Sequence, residues 1–290
     1  MRFFFYILLK KYVGCEMDRV CWEMDLQKIC DEVGVTGSGI TIAVLDTGIS
    51  GHPDLKGKVS AFRDFIEKKR HLYDDNGHGS HIAGIICGSG QMSGGKYRGI
   101  APGVSLVVGK VLDRAGGGRV DYTIEGLEWI LDIQKEHNIR IVNLSIGIAD
   151  LKDERKKSAL EKTIAKCWDR GILVVTAAGN NCKEYQAKAL SGNGGNSIIV
   201  GTRLAGPCNP DLIAPGENII SCDTKRGYTR KSGSSMATPI VSACGALLWE
   251  KEPQLTNVQV KEKMKATAQD IKLPWYVQGW GMINLRKLLT

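Results

Sequence analysis

Three side chains that together could activate a hydroxyl group stand in three separate motifs of this sequence. Asp46 lies in AVLDTGI, His78 in NGHGSHIAG and Ser235 in SGSSMATP. A hydroxyl is a weak nucleophile at neutral pH, so acyl transfer requires an imidazole that accepts its proton and a carboxylate that orients the imidazole. The sequence therefore offers an acid, a base and a nucleophile, in the order Asp, His, Ser.

Each of these residues also has a purely structural interpretation. Asp46 could cap a turn, His78 could be a hydrogen-bonded histidine at a helix end, and Ser235 could be the N-cap of the following helix. Their joint occurrence in three motifs favours the catalytic interpretation. His81 follows His78 by three residues. We expect it to turn away from His78 and to have a structural role.

The elements that must position these residues follow from the apolar pattern. Short runs rich in β-branched residues predict buried strands at residues 40–45, 105–112, 140–145, 172–177 and 196–201. Helical patterns occupy residues 79–87, 121–137, 158–170, 235–251 and 256–268. This alternation predicts an α/β fold, a single domain with a mostly parallel twisted sheet covered by helices on both faces. Asp46 and the turn at 177–180 follow strand ends, which is the edge where such sheets bind ligands.

The composition is that of a globular protein and argues against several functions. Hydrophobic residues make up 43% of the 290 residues, which is enough to form a large core. The net charge is +8, but the basic residues are scattered among acids, so we expect no nucleic-acid partner. The N-terminal run MRFFFYILLKK is too short to cross a bilayer and lacks a small-residue cleavage site. We therefore expect no membrane insertion.

The nine cysteines bear on the cellular compartment. Their number is odd and no CxxC pair occurs, which excludes a complete disulfide framework and argues against a zinc cluster. Cys87, Cys167 and Cys244 fall in apolar helical patterns, where cysteine acts as a small buried hydrophobe. This usage favours a cytoplasmic location. Secretion is the alternative, if a signal segment lies upstream of this sequence.

The three motifs resemble those of the subtilisin (S8) family of serine proteases, in particular its intracellular type. HPDL at 52–55, GIAP at 99–102 and AAGN at 177–180 extend the resemblance, which runs from about Cys15 to the C-terminal helix. It implies a peptidase domain over residues 15–290 after a short N-terminal extension, residues 1–14. It also implies a serine endopeptidase in which Asp46, His78 and Ser235 form a triad that works through an acyl-enzyme intermediate.

The resemblance also assigns roles outside the triad. The side chain of Asn180 becomes the second oxyanion donor, beside the N–H of Ser235. Two substrate-binding segments would hold an extended peptide through main-chain hydrogen bonds, and they consist of Gly116, Gly117 and Gly118, and of Ser145, Ile146 and Gly147. The structural alternatives are a turn residue for Asn180, a flexible loop for the first segment and an ordinary strand end for the second.

Three further segments bear on substrate and metal binding. Lys231 lies four residues before Ser235, so we expect its charge beside the departing peptide segment, unless it only faces solvent. Residues 88–96, GSGQMSGGK, lie where many relatives insert a calcium loop, yet they contain no carboxylate. Because calcium requires acidic oxygen ligands, we expect no metal there and no cofactor. Residues 181–196 would wall the primary specificity pocket, and their sequence leaves its preference open.

Several functions are compatible with these motifs. The chain could be an active endopeptidase on protein or peptide substrates, either general or dedicated to one precursor or leader peptide. It could instead be an inactive subtilase scaffold that binds a partner, or an esterase. The complete set of triad, oxyanion donor and glycine segments favours the active endopeptidase. The oligomeric state is not specified by the sequence.

Overall fold

The computed structural model describes residue 26 and residues 28–146, 153–179, 195–204, 206 and 208–290. Seven of its strands are β1 (Thr41–Asp46), β2 (Val59–Asp64), β3 (Ser105–Lys110), β4 (Ile139–Leu144), β5 (Leu173–Ala177), β6 (Ile198–Gly201) and β7 (Leu212–Ile213). They form one sheet in the order β2-β3-β1-β4-β5-β6-β7, and every adjacent pair is parallel. The predicted parallel sheet is therefore confirmed.

The central strand β1 shows why these runs are apolar throughout. All six of its residues, TIAVLD, are buried, because helices cover both faces of a parallel sheet and leave neither side of a strand in water. Asp46 is the charged residue at the carboxyl end of the strand. Its complete burial requires partners, and these are described with the site.

Helices cover the sheet on both faces. They are α1 (His78–Cys87), α2 (Val120–Ile133), α3 (Glu154–Asp169), α4 (Ser234–Lys251), α5 (Asn257–Thr267), α6 (Trp275–Gln278) and α7 (Leu285–Leu289). The helices α1 and α4 share one apolar core, which includes Ile86 and Val241. The helices α2 and α3 share the core of the opposite face, which includes Leu127 and Ile164. The fold class predicted from the sequence is confirmed.

Some strands were not predicted, for identifiable physical reasons. The strand β2 is an edge strand and only its last residue is fully buried, so it lacks an apolar run. The antiparallel hairpin of β8 (Ile219–Cys222) and β9 (Tyr228–Lys231) lies apart from the main sheet. Its turn places Arg226 at a φ of 65°, a conformation with no strong signal in the residue type.

The buried His81 attaches this hairpin to α1. Its side chain is 0% exposed, and its Nε2 lies 3.1 Å from the carbonyl oxygen of Ile219 and 3.2 Å from that of Thr229. These two carbonyls belong to the two strands of the hairpin. His81 thus holds the strand that leads towards Ser235, which is the structural role expected for it.

The loop at residues 88–96 is held by a buried carboxylate and protein donors. Asp54 is 1% exposed. Its Oδ1 accepts from the Met92 N–H at 3.0 Å and the Ser89 hydroxyl at 3.3 Å. Its Oδ2 accepts from the Tyr228 hydroxyl at 2.6 Å. The charge of Asp54 is thus met by three hydrogen-bond donors of the protein.

His52, Asp54 and Cys222 form a cluster of side chains of the types that bind metal ions. Ligand atoms of His52, Asp54 and Cys222 lie within 4.8 Å of one another. However, the Asp54 N–H lies 3.1 Å from His52 Nδ1, and His52 Nε2 lies 2.9 Å from the Gly227 carbonyl. Both ring nitrogens therefore have protein partners. Burial raises the pKa of the Cys222 thiol to about 12, which disfavours the thiolate that a metal requires.

We expect a calcium chelator to change the melting temperature little. A bound ion stabilises a fold by mass action, whereas here protein donors hold the loop. The matched comparison is Tyr228→Phe, which removes one donor from a buried carboxylate and should lower the free energy of unfolding by about 1 to 3 kcal/mol. Thermal unfolding with and without chelator measures both. A fall of many degrees in chelator would contradict this prediction.

Two further findings concern the membrane and the cysteines. No helix in the described ranges combines the length and the apolar character needed to cross a membrane.

Cys87, Cys167 and Cys244 are buried and free, as predicted, and so are Cys30 and Cys222. Cys208 is in a disulfide.

Candidate active site

Asp46 and His78 meet at the carboxyl edge of the sheet. Asp46 ends β1, and His78 is the first residue of α1. The His78 Nδ1 lies 2.8 Å from Asp46 Oδ1 and 2.9 Å from Oδ2. The N–H of Thr47 donates to Oδ1 at 2.7 Å. Because an ionised carboxylate only accepts hydrogen bonds, Nδ1 carries a hydrogen, and Nε2 of a neutral His78 is left with its lone pair.

The environment raises the pKa of His78. Burial alone would lower it, but the charge of Asp46 and its hydrogen bond to the ring favour the protonated form more strongly. Lys231 lowers the pKa of His78, and Asp74 raises it. The charge of Lys231, at the end of β9, therefore acts on the imidazole. Its expected place beside the departing peptide segment stays a prediction.

Asp74, which none of the sequence motifs singled out, organises the start of α1. One carboxylate oxygen accepts from the Thr47 hydroxyl at 2.9 Å and from the Gly77 N–H at 2.7 Å. The other accepts from the N–H of Ser80 at 2.9 Å and from its hydroxyl at 2.6 Å. Burial opposes ionisation, but hydrogen bonds from Ser80, Gly77 and Asn76 hold the pKa of Asp74 below its ordinary value. The sequence feature that could have indicated this role is the consecutive pair Asp74 and Asp75, which begins four residues before His78.

A close contact between the backbone after β1 and the start of α1 also fixes the position of His78. A Cβ atom on Gly79, the next residue, would overlap the carbonyl oxygen of Gly48. The N–H of Gly79 donates to the Thr47 hydroxyl at 2.9 Å. The glycines of DTG and HGS therefore allow the turn after β1 and the start of α1 to contact each other directly, which sets the distance between Asp46 and His78.

Ser235 lies in the first turn of α4. The N–H groups of that turn have no partners within the helix, and the helix dipole makes this end positive. In the described part of the chain no hydrogen bond joins the Ser235 hydroxyl to His78. Such contacts are often loose before substrate binds. The hydroxyl of Ser234, the residue before Ser235, accepts a hydrogen bond from the Gly179 N–H at 3.2 Å. The residues that follow β5 therefore contact the first turn of α4.

The first predicted substrate segment forms a tight turn. The Asp113 carboxylate accepts from the Gly117 N–H at 3.0 Å, and the Asp113 N–H donates to the Gly117 carbonyl at 2.7 Å. Among the described residues the N–H and carbonyl of Gly118 make no backbone hydrogen bond. A Cβ on Gly118 would lie 2.6 Å from the Val111 carbonyl oxygen, so only glycine fits. Gly116 requires a φ of 78°.

The second predicted segment begins at Ser145, directly after β4. Its hydroxyl accepts from the Asn143 side-chain amide at 2.9 Å. The Asn143 amide oxygen accepts from the Ser242 hydroxyl, also at 2.9 Å. Ser242 belongs to α4, so a buried chain of hydrogen bonds links the helix of Ser235 to this segment. Ile146 packs on the core beneath α2 and α3.

Two predicted site residues lie outside the described residues, Asn180 and Gly147. Their assignments remain predictions. The same holds for most of the segment 181–196, which was expected to wall the primary pocket.

Comparisons with known proteins identify the family. The sequence model of the subtilase family matches residues 37–281. Serine protease AprX of Bacillus subtilis is 36% identical over 271 residues, which cover 80% of this chain and 61% of AprX. Subtilisin Savinase of Lederbergia lenta is 34% identical over 259 residues, 87% of this chain and 91% of Savinase. The chain therefore belongs to the subtilase family, as the motifs indicated.

A solved structure agrees with this assignment. Sphericase superposes with a TM-score of 0.76 at 27% identity, covering 86% of this chain and 92% of its own. The fold is therefore that of subtilisin-like proteins. The chain spans 61% of the length of AprX.

Proposed function

We propose that this chain is a serine endopeptidase that hydrolyses peptide bonds through an acyl-enzyme intermediate. The observation that carries the proposal is the contact of both Asp46 oxygens with His78 Nδ1, beside a helix that begins at Ser234 and Ser235. Family membership supports it, since the relatives are named serine proteases and subtilisins.

The proposed reaction begins with the Ser235 hydroxyl. Its oxygen attacks the carbonyl carbon of the scissile bond, and its proton passes to Nε2 of His78. Asp46 stays ionised and stabilises the imidazolium. His78 then returns the proton to the departing amine, the carbon–nitrogen bond breaks, and an ester to Ser235 remains. Water hydrolyses that ester, again with His78 as the base.

Charge on the substrate carbonyl oxygen requires hydrogen-bond donors. We assign these to the N–H of Ser235 and to the side-chain amide of Asn180, the latter through the family resemblance. The hydrogen bond from the Gly179 N–H to the Ser234 hydroxyl supports the assignment of Asn180 as a donor, because Gly179 directly precedes Asn180 in the sequence. Among the described residues the N–H and carbonyl of Gly118 make no backbone hydrogen bond, which supports pairing with an extended peptide strand. The family resemblance assigns the other side of that strand to Ser145, Ile146 and Gly147.

A fluorophosphonate that reacts with activated serines tests the proposal. We expect covalent labelling of Ser235, located by mass spectrometry, and cleavage of peptide bonds in a digested proteome. A folded protein that resists the label would instead be a binding scaffold. Labelling with cleavage of esters but not of peptides would indicate an esterase. Cleavage of one site in a single protein would indicate a dedicated processing protease.

The pH dependence follows from the raised pKa of His78. Only the neutral imidazole can accept the proton of Ser235, so kcat/KM should fall on the acid side. The apparent pKa should lie above the ordinary imidazole value of about 6.5, and Lys231→Glu should raise it further by removing a positive charge. Measurement of kcat/KM across the pH range decides this. A flat profile between about pH 5 and 8 argues against a histidine base.

Lys231 should modestly favour an acidic residue directly after the scissile bond. A partly exposed pair contributes about 0.2 to 1 kcal/mol, which gives a preference of a few-fold. We expect Lys231→Glu to reverse the ratio of kcat/KM for two peptides that differ only in an aspartate or a lysine at that position. Lys162→Glu, an equal charge change on the exposed side of α3, is the control. A ratio unchanged by Lys231→Glu at low and high salt excludes this selectivity.

We further propose one peptidase domain at residues 15–290, preceded by a short extension at residues 1–14, and a cytoplasmic location. The family match over residues 37–281 and the single continuous sheet support the domain. Five buried free cysteines support the location, whereas the disulfide of Cys208 argues for an oxidising compartment. Limited proteolysis tests the domain. Cell fractionation with thiol labelling tests the location.

A further inference from the structure

Lys110 is a fully buried cation directly beside the proposed triad. It is the last residue of β3, it pairs in register with Asp46 of β1, and it is 0% exposed. Burying an ammonium group is costly unless the charge is paired and hydrogen-bonded. The mechanism proposed above makes no use of this residue.

The ammonium group of Lys110 has three hydrogens and three acceptors. Its Nζ donates to the carbonyl oxygens of Thr47 and Leu112, both at 2.8 Å, and to Asp75 Oδ1 at 2.7 Å. The ring of Tyr73 lies 5.1 Å from Nζ. No donor of the ammonium is left over, so its position is fully determined by these partners.

Each acceptor belongs to a different part of the site. Thr47 follows Asp46 in the chain. Asp75 lies in the segment between Asp74 and His78. Leu112 directly precedes Asp113, whose side chain forms the turn of the first substrate segment. One ammonium group thus connects the segments that carry the acid, the base and the substrate-binding glycines.

We propose that Lys110 is a positioning residue, which holds these three segments in the relative placement that catalysis requires. This inference rests on the proposed endopeptidase function. Without the ammonium, the carbonyls of Thr47 and Leu112 lose their buried donor and the segments can move apart. A misplacement of about 1 Å in an active site can lower the rate about a hundredfold.

The variant Lys110→Met tests the role, because it keeps the length of the side chain and removes the donors. At a temperature where the protein is fully folded, we expect kcat to fall by about tenfold to a hundredfold and KM to rise. The rate of fluorophosphonate labelling should fall as well. Lys58→Met is the control, since Lys58 Nζ donates to the Pro102 carbonyl away from the site. It should retain the wild-type rate.

The double variant Lys110→Met, Asp75→Asn separates hydrogen bonding from charge. It leaves no unpaired carboxylate, so it should recover part of the stability lost in the single variant. Its kcat should stay low, because the two carbonyls still have no donor. A double variant with wild-type kcat overturns the proposal, since charge balance alone would then explain the burial of Lys110.

A second variant, Lys110→Gln, and the wild-type protein provide further tests of the proposal. If Lys110→Met yields no folded protein, Lys110→Gln carries the test, because it retains an uncharged donor, and we expect about a tenfold loss. Wild-type kcat and KM in either folded variant overturn the proposal and leave Lys110 with a stabilising role only. Wild-type protein that is inert to the fluorophosphonate contradicts the proposed endopeptidase function itself, before any variant is compared.

Discussion

Replacing Ser235 with alanine is expected to lower kcat by about a millionfold while the protein keeps its fold. The magnitude is the one measured in subtilisin for loss of the nucleophile. Only one hydroxyl is removed, from a partly exposed position in the first turn of α4, so little packing is lost. The variant should unfold at nearly the wild-type temperature and should not react with the fluorophosphonate.

A matched control lies three residues earlier in the same segment. The hydroxyl of Ser232 accepts from the Asn218 N–H at 2.8 Å, so Ser232→Ala removes a serine hydroxyl from the same segment but leaves the proposed nucleophile in place. It should be labelled and should turn over substrate. Folded Ser235→Ala protein with near-normal kcat would rule out the proposed mechanism, whatever the behaviour of Ser232→Ala.

The sequence was sufficient to place the proposed triad on its elements. Asp46 at the end of β1, His78 at the start of α1 and Ser235 at the start of α4 all follow from boundaries that apolar patterning defines well. Elements buried on both faces have long apolar runs, and these runs end where the chain reaches the polar edge of the sheet. The edge of the sheet that carries the proposed triad was therefore predictable, because burial changes sharply there.

Asp74 and Lys110 could not be found in the same way. Their importance lies in partners that are distant in sequence, such as Thr47, which is 27 residues from Asp74 and 63 residues from Lys110. Most of these partners are backbone groups, which carry no signature in the residue type. A lysine at the end of an apolar strand looks like the point where the chain reaches solvent, whereas Lys110 turns inward to three acceptors.

The hairpin of β8 and β9 illustrates a second limit. Local pattern does not show that the loop before Ser235 forms two paired strands, or that His81 of α1 contacts a carbonyl of each strand. His81 was recognised from sequence only as a residue with a structural role. Its two carbonyl partners became apparent only once the helix and the hairpin were brought together in the fold.

Asp46→Asn should reduce kcat by about ten-thousandfold, the loss measured for this exchange in serine proteases of the chymotrypsin fold. The contacts give the reason. The Thr47 N–H donates to Oδ1 at 2.7 Å, so the oxygen of an asparagine would stay at that position and its NH₂ group would face His78. A donor facing Nδ1 moves the ring hydrogen to Nε2, which then cannot accept the proton of Ser235.

Loss of the Asp46 charge should also shift the acid limb of the pH profile. The charge of Asp46 and its hydrogen bond are the largest effects that raise the pKa of His78, so their removal should move the remaining activity to lower pH. Labelling of Ser235 by the fluorophosphonate should slow in parallel with kcat, since both reactions require the same base.

Asp64→Asn is the matched control, because Asp64 is also a buried carboxylate at the end of a strand in this sheet. Its oxygens accept from the N–H groups of Ile66 and Glu67 and from the Tyr73 hydroxyl, with no histidine among these partners. This variant should lose stability yet keep its rate per folded molecule. If Asp46→Asn and Asp64→Asn have equal kcat and equal pH profiles, Asp46 does not orient His78, and the assignment of the acid is wrong.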